Sequence, residues 1–484
     1  MALVKDGTLC LQEVKDYLNI IKSREHIVTI KKVLFVFLVA LIARISYVWF
    51  FVEVDDLTFE DQLMYIQLGK DMIEKGDFLQ AISGNYIGFT DRLPGYPALL
   101  AAVYALFGES NMAVVVVQIF IDSLTCVIIG LIAESLITRG FIVAGIVSAL
   151  NLNMIILSGM ILTDTLFLFL FSIFILFAFR YLRYLEKTKL FLAISFLSLA
   201  TLVRPVSYYL ILLILLLLIG FLVWKTKSFK QVIYSLLLYV LPVVVAFGSI
   251  HYRNYSEYNS FSLVSQGGGH AMYWVVPATY QYSGQGSYQE GKIFAKNHII
   301  NAMKRDGIEV LPSNSFKGSN YHMKVAKEAL LELGLLNVLH AWSAGALINF
   351  LSPSAAYAPS VRAMDHPSFY ATPGNGTIEK LINYVFNTNS WFYLFIITIG
   401  TLSSIVFLII SIFGIYKMAV YKSTTMSHDR KILLFSLFIM LYFIAITGPI
   451  VGVKYRLPLE PIMVLFFSYA FIRYRSKLSI KKQE

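Results

Sequence analysis

Glu53, Asp55, Asp56, Glu60 and Asp61 place five carboxylates within nine residues, directly after an apolar run. A positioned carboxylate can take the proton of an attacking hydroxyl, an effect worth about 10²–10⁴-fold. Basic residues that could meet an anion recur further on. Arg92 stands in "DRLPGYPALL", Arg204 in "TLVRPVS", Arg253 in "IHYRNYSEY", and Lys454 and Arg456 in "VKYRLPLEP". A guanidinium fork donates two parallel hydrogen bonds to a phosphate. Asp164, in "LTDTLF", adds a further acid. Acids and arginines gathered at one membrane face suit a site that handles an anionic lipid headgroup and a hydroxyl.

These residues need elements to hold them. From Phe59 the sequence reads as a short amphipathic helix, with Phe59, Leu63, Ile66 and Ile73 on one face and Asp61, Tyr65, Leu68 and Met72 on another. Asp61 and Tyr65 are four apart and share a face, and Gly76 is a stop signal. Thr58 to Asp61 also reads as a capping box, so on spacing alone Asp61 is as well explained by capping as by chemistry. Solvated charge is the plain reading for Glu53, Asp55 and Asp56, and interfacial anchoring for Arg204 and Arg253.

The remainder of the chain is built for lipid. Of 484 residues, 57% are hydrophobic and 14% charged, against roughly 25% charged in soluble chains. The apolar residues fall in continuous runs of about 20, the length of a membrane-crossing helix, without the alternation of a β-barrel. The expected class is an all-α polytopic membrane protein. The net charge of +11 comes from short basic tracts between apolar runs, a positive-inside pattern rather than a nucleic-acid surface. Cys10 and Cys126 point to neither a disulfide nor a metal site, and no cleavable signal is apparent.

With the basic tracts on the cytoplasmic side, ten spans are expected, at about 33–52, 113–135, 140–158, 164–182, 189–203, 207–224, 231–250, 392–416, 432–450 and 457–474. Both termini then face the cytoplasm. The chain divides into a cytoplasmic segment (1–32), a transmembrane module with its first loop at 53–112 (33–250), an extracytoplasmic region (251–391), and closing spans with a basic tail (392–484). The stretch 94–108 is too short to cross and reads as a re-entrant or interfacial helix, started by Pro94 and Pro97 and ended by Gly108. The stretch 335–351 reads as a helix on the outer membrane surface. Polar helices are expected near 292–305 and 319–333, and the glycines at 267–269 read as a turn that a lid or a simple loop explains equally. Arg44 and Asp122 lie deep in consecutive antiparallel spans, where a lone charge costs about 2.5–3.5 kcal/mol. They are expected to pair.

In order along the chain stand Asp-x-x-x-Tyr (Asp61 to Tyr65), Arg-x-Pro-Gly-Tyr-Pro (Arg92 to Pro97), Asp164 opening a span, Leu-x-Arg-Pro (Leu202 to Pro205), Arg-Asn-Tyr (Arg253 to Tyr255) and Tyr-Arg-Leu-Pro (Tyr455 to Pro458). This series resembles the GT-C superfamily of integral-membrane glycosyltransferases, within it the protein mannosyltransferases and aminoarabinose transferases. The resemblance implies transfer of a sugar from a polyprenyl-phosphate donor to a hydroxyl-bearing lipid, glycan or protein outside the cytoplasm. It implies Asp61 as base, and Tyr65, Arg92, Tyr96, Asp164, Arg204, Arg253 and Arg456 as substrate-binding residues. Gln62 stands where the family often has a second acid, which leaves a divalent cation open rather than required. A polysaccharide ligase or polymerase, for which His251 and His270 would be the relevant loop residues, and a secondary transporter or lipid flippase are the competing classes.

Overall fold

The computed structural model describes residues 29–55, 57, 60–74, 88–225, 228–366, 372–375, 377–387, 390–420 and 426–481. Cys10, most of the 1–32 segment, Asp56, the Thr58–Phe59 half of the capping box and the stop at Gly76 lie outside them. The protein is all-α and multi-pass: among the described residues, eight helices are long and apolar enough to cross a membrane, or ten if each of two bent pairs is one span.

In chain order, α1 (Ile30–Phe51) leads to a first loop made of α2 (Glu60–Glu74) and α3 (Gly95–Phe107). The bundle continues with α4 (Asn111–Glu134), α5 (Gly140–Ala149), α6 (Leu152–Ser158), α7 (Asp164–Tyr184), α8 (Lys187–Val203), α9 (Tyr208–Lys225) and α10 (Phe229–Tyr258). Between α10 and the closing spans lie the polar helices α11 (Tyr288–Arg305) and α12 (Ser315–Leu333), the apolar α13 (Leu335–Leu351), which with α12 forms one of the two bent pairs, and α14 (Thr377–Phe386). The chain ends with α15 (Trp391–Val420), α16 (Met426–Thr447) and α17 (Glu460–Lys481). Local signals set many of these boundaries. Ser110 caps α4 by accepting from the Ala113 amide over 3.2 Å, and Ser287 with Glu290 forms a capping box on α11. Gly334, at φ 89°, ends α12 and turns the chain by 101° into α13.

The expected third span is a broken one: α5 and α6 meet at 54°. Buried polar groups hold both sides of the break. Arg44, with no exposed surface, donates from Nη1 to the Ala149 carbonyl over 3.0 Å and from Nε to Asp122 over 2.6 Å. On the other side, Glu460 accepts from Asn151 at 2.9 Å and Asn153 at 3.2 Å. A break inside a membrane frees carbonyl and amide groups that only protein can satisfy: Arg44 takes the Ala149 carbonyl, and Asn151 Oδ1 accepts from the Asn153 and Met154 amides at 2.9 and 3.2 Å. The Arg44–Asp122 pair has the partners expected.

Other expectations are adjusted. The helix expected to end near 250 runs on to Tyr258, so Arg253 is helical rather than in a loop. On α2 the buried face carries Gln62, Ile66, Leu68 and Met72, while Leu63 and Ile73 are exposed. The reason is α3, which packs on the Leu68–Met72 side. Gly69 permits that approach, because a Cβ there would lie 2.6 Å from that of Leu100.

Candidate active site

Three helix ends and the first loop converge at one end of the bundle. Asp61 and Tyr65 come from the first turns of α2. Asp164 opens α7, Arg204 follows the last residue of α8, and Lys454 lies just ahead of α17. Arg92 is delivered by the turn leading into α3. The two arginine motifs touch each other here: a Cβ on Gly95 would meet the Leu202 carbonyl oxygen at 2.7 Å. Only glycine lets the start of α3 sit on the backbone that ends α8.

The Asp61 carboxylate lies between two cations. Arg92 Nη2 is 3.3 Å from Oδ1, and Lys454 Nζ is 3.8 Å from Oδ2. The Asp61 side chain keeps 43% of its surface exposed, against 18% for Arg92 and 19% for Lys454. Behind it, buried Asp164 pairs with Arg204, whose guanidinium lies 5.7 Å from the centre of the Phe167 ring. Tyr65 stands between the two pairs. Burial pushes its phenol above the usual range, with Arg92 and Arg204 pulling the other way, so the phenol stays neutral. A half-exposed carboxylate with fixed cations around it can accept a proton while the cations stabilise an anion.

Among the described residues no three His, Cys, Asp or Glu side chains converge on a metal-sized space. Asp61 and Asp164 are each turned to cations of the chain, so this donor set does not form a cage for a divalent ion.

Three expected substrate ligands have other partners. Tyr96 is fully buried, meets Tyr65 edge-on at 5.2 Å, and donates to Gln118 Oε1 over 2.7 Å. Gln118 in turn donates to the Ser158 and Met160 carbonyls at 3.2 and 2.7 Å, so Tyr96 steadies the turn before Asp164 and presents no surface to a substrate. Arg456 donates to Glu460 at 3.0 Å, to the Phe350 and Ser352 carbonyls at 2.7 and 3.3 Å, and to Ser354 Oγ at 3.2 Å. Its fork is committed to tying α13 to α17, and the cation that this motif sends into the site is Lys454. Arg253 is turned to Asn254 Oδ1, at 2.7 and 3.0 Å. Asn254 then donates to the Ser262 and Leu263 carbonyls, which organises the chain leaving α10.

No protein-family model and no curated protein matches the chain. Among solved structures, the archaeal oligosaccharyltransferase AglB from Archaeoglobus fulgidus, in complex with an inhibitory peptide and a dolichol-phosphate, aligns at a TM-score of 0.51 and 14% identity over 94% of this chain. The fold is shared. This chain spans about half of that protein's length, 51%. ArnT from Cupriavidus metallidurans bound to undecaprenyl phosphate aligns at 0.36 and 12% identity, over 93% of this chain and 80% of that one, a likeness too slight to carry an argument.

The shared fold leaves the site to be read from its own contacts, and several of these have no signal in the motifs. Ser265 donates its amide to the Thr90 carbonyl over 2.7 Å and its hydroxyl to Asp91, while Ser315 reaches the Thr90 hydroxyl at 3.2 Å. The polar region is thereby fastened to the residues next to Arg92. His270, five residues past Ser265, has its pKa pushed below the usual range by burial, then by the charges of Lys454 and Arg92. Tyr357 reaches the same area, its hydroxyl 2.7 Å from where a Cβ on Gly452 would lie. Only the serines and glycines around these positions hint at close packing, and neither residue type identifies a partner.

Proposed function

We propose that this protein is a membrane glycosyltransferase that moves a sugar from a polyprenyl-phosphate donor to a hydroxyl acceptor on the extracytoplasmic face, with both termini in the cytoplasm. The observation that carries this reading is the Asp61 carboxylate, half exposed between Arg92 and Lys454. The fold it shares with an oligosaccharyltransferase solved with a dolichol-phosphate supports the lipid-phosphate class of donor.

In this reading the acceptor oxygen attacks the anomeric carbon and its proton passes to Asp61. The bond from that carbon to the phosphate oxygen breaks, and its electron pair leaves on the phosphate. A phosphate leaving group needs no general acid when cations take up its growing charge, and Arg92, Lys454 and Arg204 are the cations placed to do so. Asp164 holds Arg204 in orientation. A single displacement of this kind inverts the anomeric centre. The negative charge falls on cations of the chain, so a divalent ion would add to the site rather than complete it.

The test is purified protein in lipid, offered a panel of polyprenyl-phosphate sugars, with analysis of the labelled product. Transfer from at least one monosaccharide-phosphate lipid, lost in Asp61→Asn, is expected. No transfer from any of them, or equal transfer by the variant, overturns the reading.

A further inference from the structure

Helix α14, TIEKLINYVF, has two unlike faces. Ile378, Leu381, Ile382, Val385 and Phe386 follow the i, i+3, i+4, i+7, i+8 spacing of a single stripe and are 76, 44, 50, 49 and 82% exposed. The opposite side is held by protein. Lys380 has no exposed surface and lies over the Tyr282 ring at 5.8 Å. Tyr384 hydrogen-bonds to the Tyr393 hydroxyl, and Tyr393, itself stacked on His366 at 4.2 Å, is in the first turn of α15. Polar side contacts complete the docking: Glu379 accepts from the Asn375 amide and Asn383 donates to the Pro373 carbonyl, both at 2.9 Å.

From this arrangement we infer that α14 is a membrane-surface anchor whose apolar stripe lies in the headgroup–acyl boundary of the bilayer. The occupant follows from continuity. The exposed stripe leads within nine residues to Trp391, Phe392 and Phe395, exposed by 85, 63 and 60%, at the start of a span few of whose residues are fully buried. That span must meet lipid, and the Tyr384–Tyr393 contact ties α14 to the level at which it enters. An amphipathic helix with a large apolar face rests in this boundary with about 5–10 Å of penetration, and Trp marks the same depth. The anchor sets the height of the segment between α13 and α15, which carries Tyr357 against Gly452. The inference depends on the span alone and not on the proposed reaction.

It is tested in proteoliposomes by nitroxide scanning of single cysteines from 378 to 386, in a Cys10→Ser, Cys126→Ser background. Ile378→Cys, Ile382→Cys and Val385→Cys labels are expected to collide severalfold more with oxygen, relative to a water-soluble nickel chelate, than Glu379→Cys and Asn383→Cys labels. Lipid-borne quenchers should reach the first three only. Free access of the nickel chelate to 382 and 385 would overturn the anchor. So would protection from both reagents with concentration-dependent crosslinking at Ile382→Cys, which would assign the stripe to a second copy of the chain.

Discussion

Arg44 and Asp122 meet at 2.6 Å inside the bundle, with 0 and 1% of their side chains exposed. The same guanidinium reaches the Ala149 carbonyl and Cys126 Sγ, so one residue of α1 fixes both α4 and the break after α5. Removing one member leaves a buried charge without its partner, which costs about 3–5 kcal/mol. Arg44→Ala is expected to lose about that much in denaturant or thermal unfolding. Arg44→Leu combined with Asp122→Leu should recover much of the loss, short of the part owed to the Ala149 carbonyl. A double variant as unstable as the single one would show that the ion pair is not the source of the stability.

Asp61→Asn keeps size and removes basicity. Transfer should fall by about 10²-fold or more, with unfolding and donor binding near those of the parent. Asp55→Asn is the matched control, since Asp55 accepts from Asn111 at the surface and is expected to leave turnover unchanged. The comparison is made by initial rates at saturating donor.

Lys454 and Arg456 are two residues apart and should separate cleanly. Lys454→Gln removes a cation beside Asp61, and Arg92→Lys keeps charge but loses the fork; both are expected to weaken donor binding. Arg456→Gln instead leaves the fully buried Glu460 without its counter-charge, with the Asn151 and Asn153 side-chain amides still on it. Its main effect should be a loss of about 3–5 kcal/mol in stability. Isothermal binding alongside melting curves on the three variants distinguishes these outcomes.

Gly95→Ala introduces a methyl group 2.7 Å from the Leu202 carbonyl oxygen, a backbone atom that cannot swing aside. The start of α3 has to lift, carrying Arg92 away from Arg204, and transfer should drop while the helical content is kept. Gly267→Ala meets nothing within 4 Å and is expected to be silent. Activity and circular dichroism on both variants check this.

Burial lowers the Lys380 pKa from the ordinary 10.5 to about 7. The folded state therefore binds this proton more weakly than the unfolded chain does. Stability from this residue is lowest below pH 7 and rises as pH climbs from about 7 toward 10.5. Lys380→Met keeps the stem and deletes the charge. It should flatten the rise in stability between pH 7 and 10, read in thermal scans across that range.

The sequence by itself determined the class of the protein and the order of its parts. Continuous apolar runs can satisfy their backbone in lipid only as helices, so most of the long helices, the short helix after Pro94 and the polar helices at 288–305 and 315–333 were legible within a few residues. The Arg44–Asp122 pair was legible for the same reason, because two opposite charges at equal depth in consecutive spans have few other ways to be satisfied. The break after Ala149, the extension to Tyr258 and the shortness of Lys187–Val203, which is not among the helices long and apolar enough to cross, were not legible. Tertiary structure decided which basic residue of a motif enters the site. "VKYRLP" offers Lys454 and Arg456 two positions apart, and the choice depends on the helix turn ahead of α17 and on the carbonyls of Phe350 and Ser352, about 100 residues away. It decided likewise that α2 buries its Leu68–Met72 side, since both of its faces carry apolar residues and only α3 distinguishes them. His270 and Tyr357 reach Lys454 through packing between segments remote in the chain, and such contacts leave no periodicity or spacing in the sequence to read.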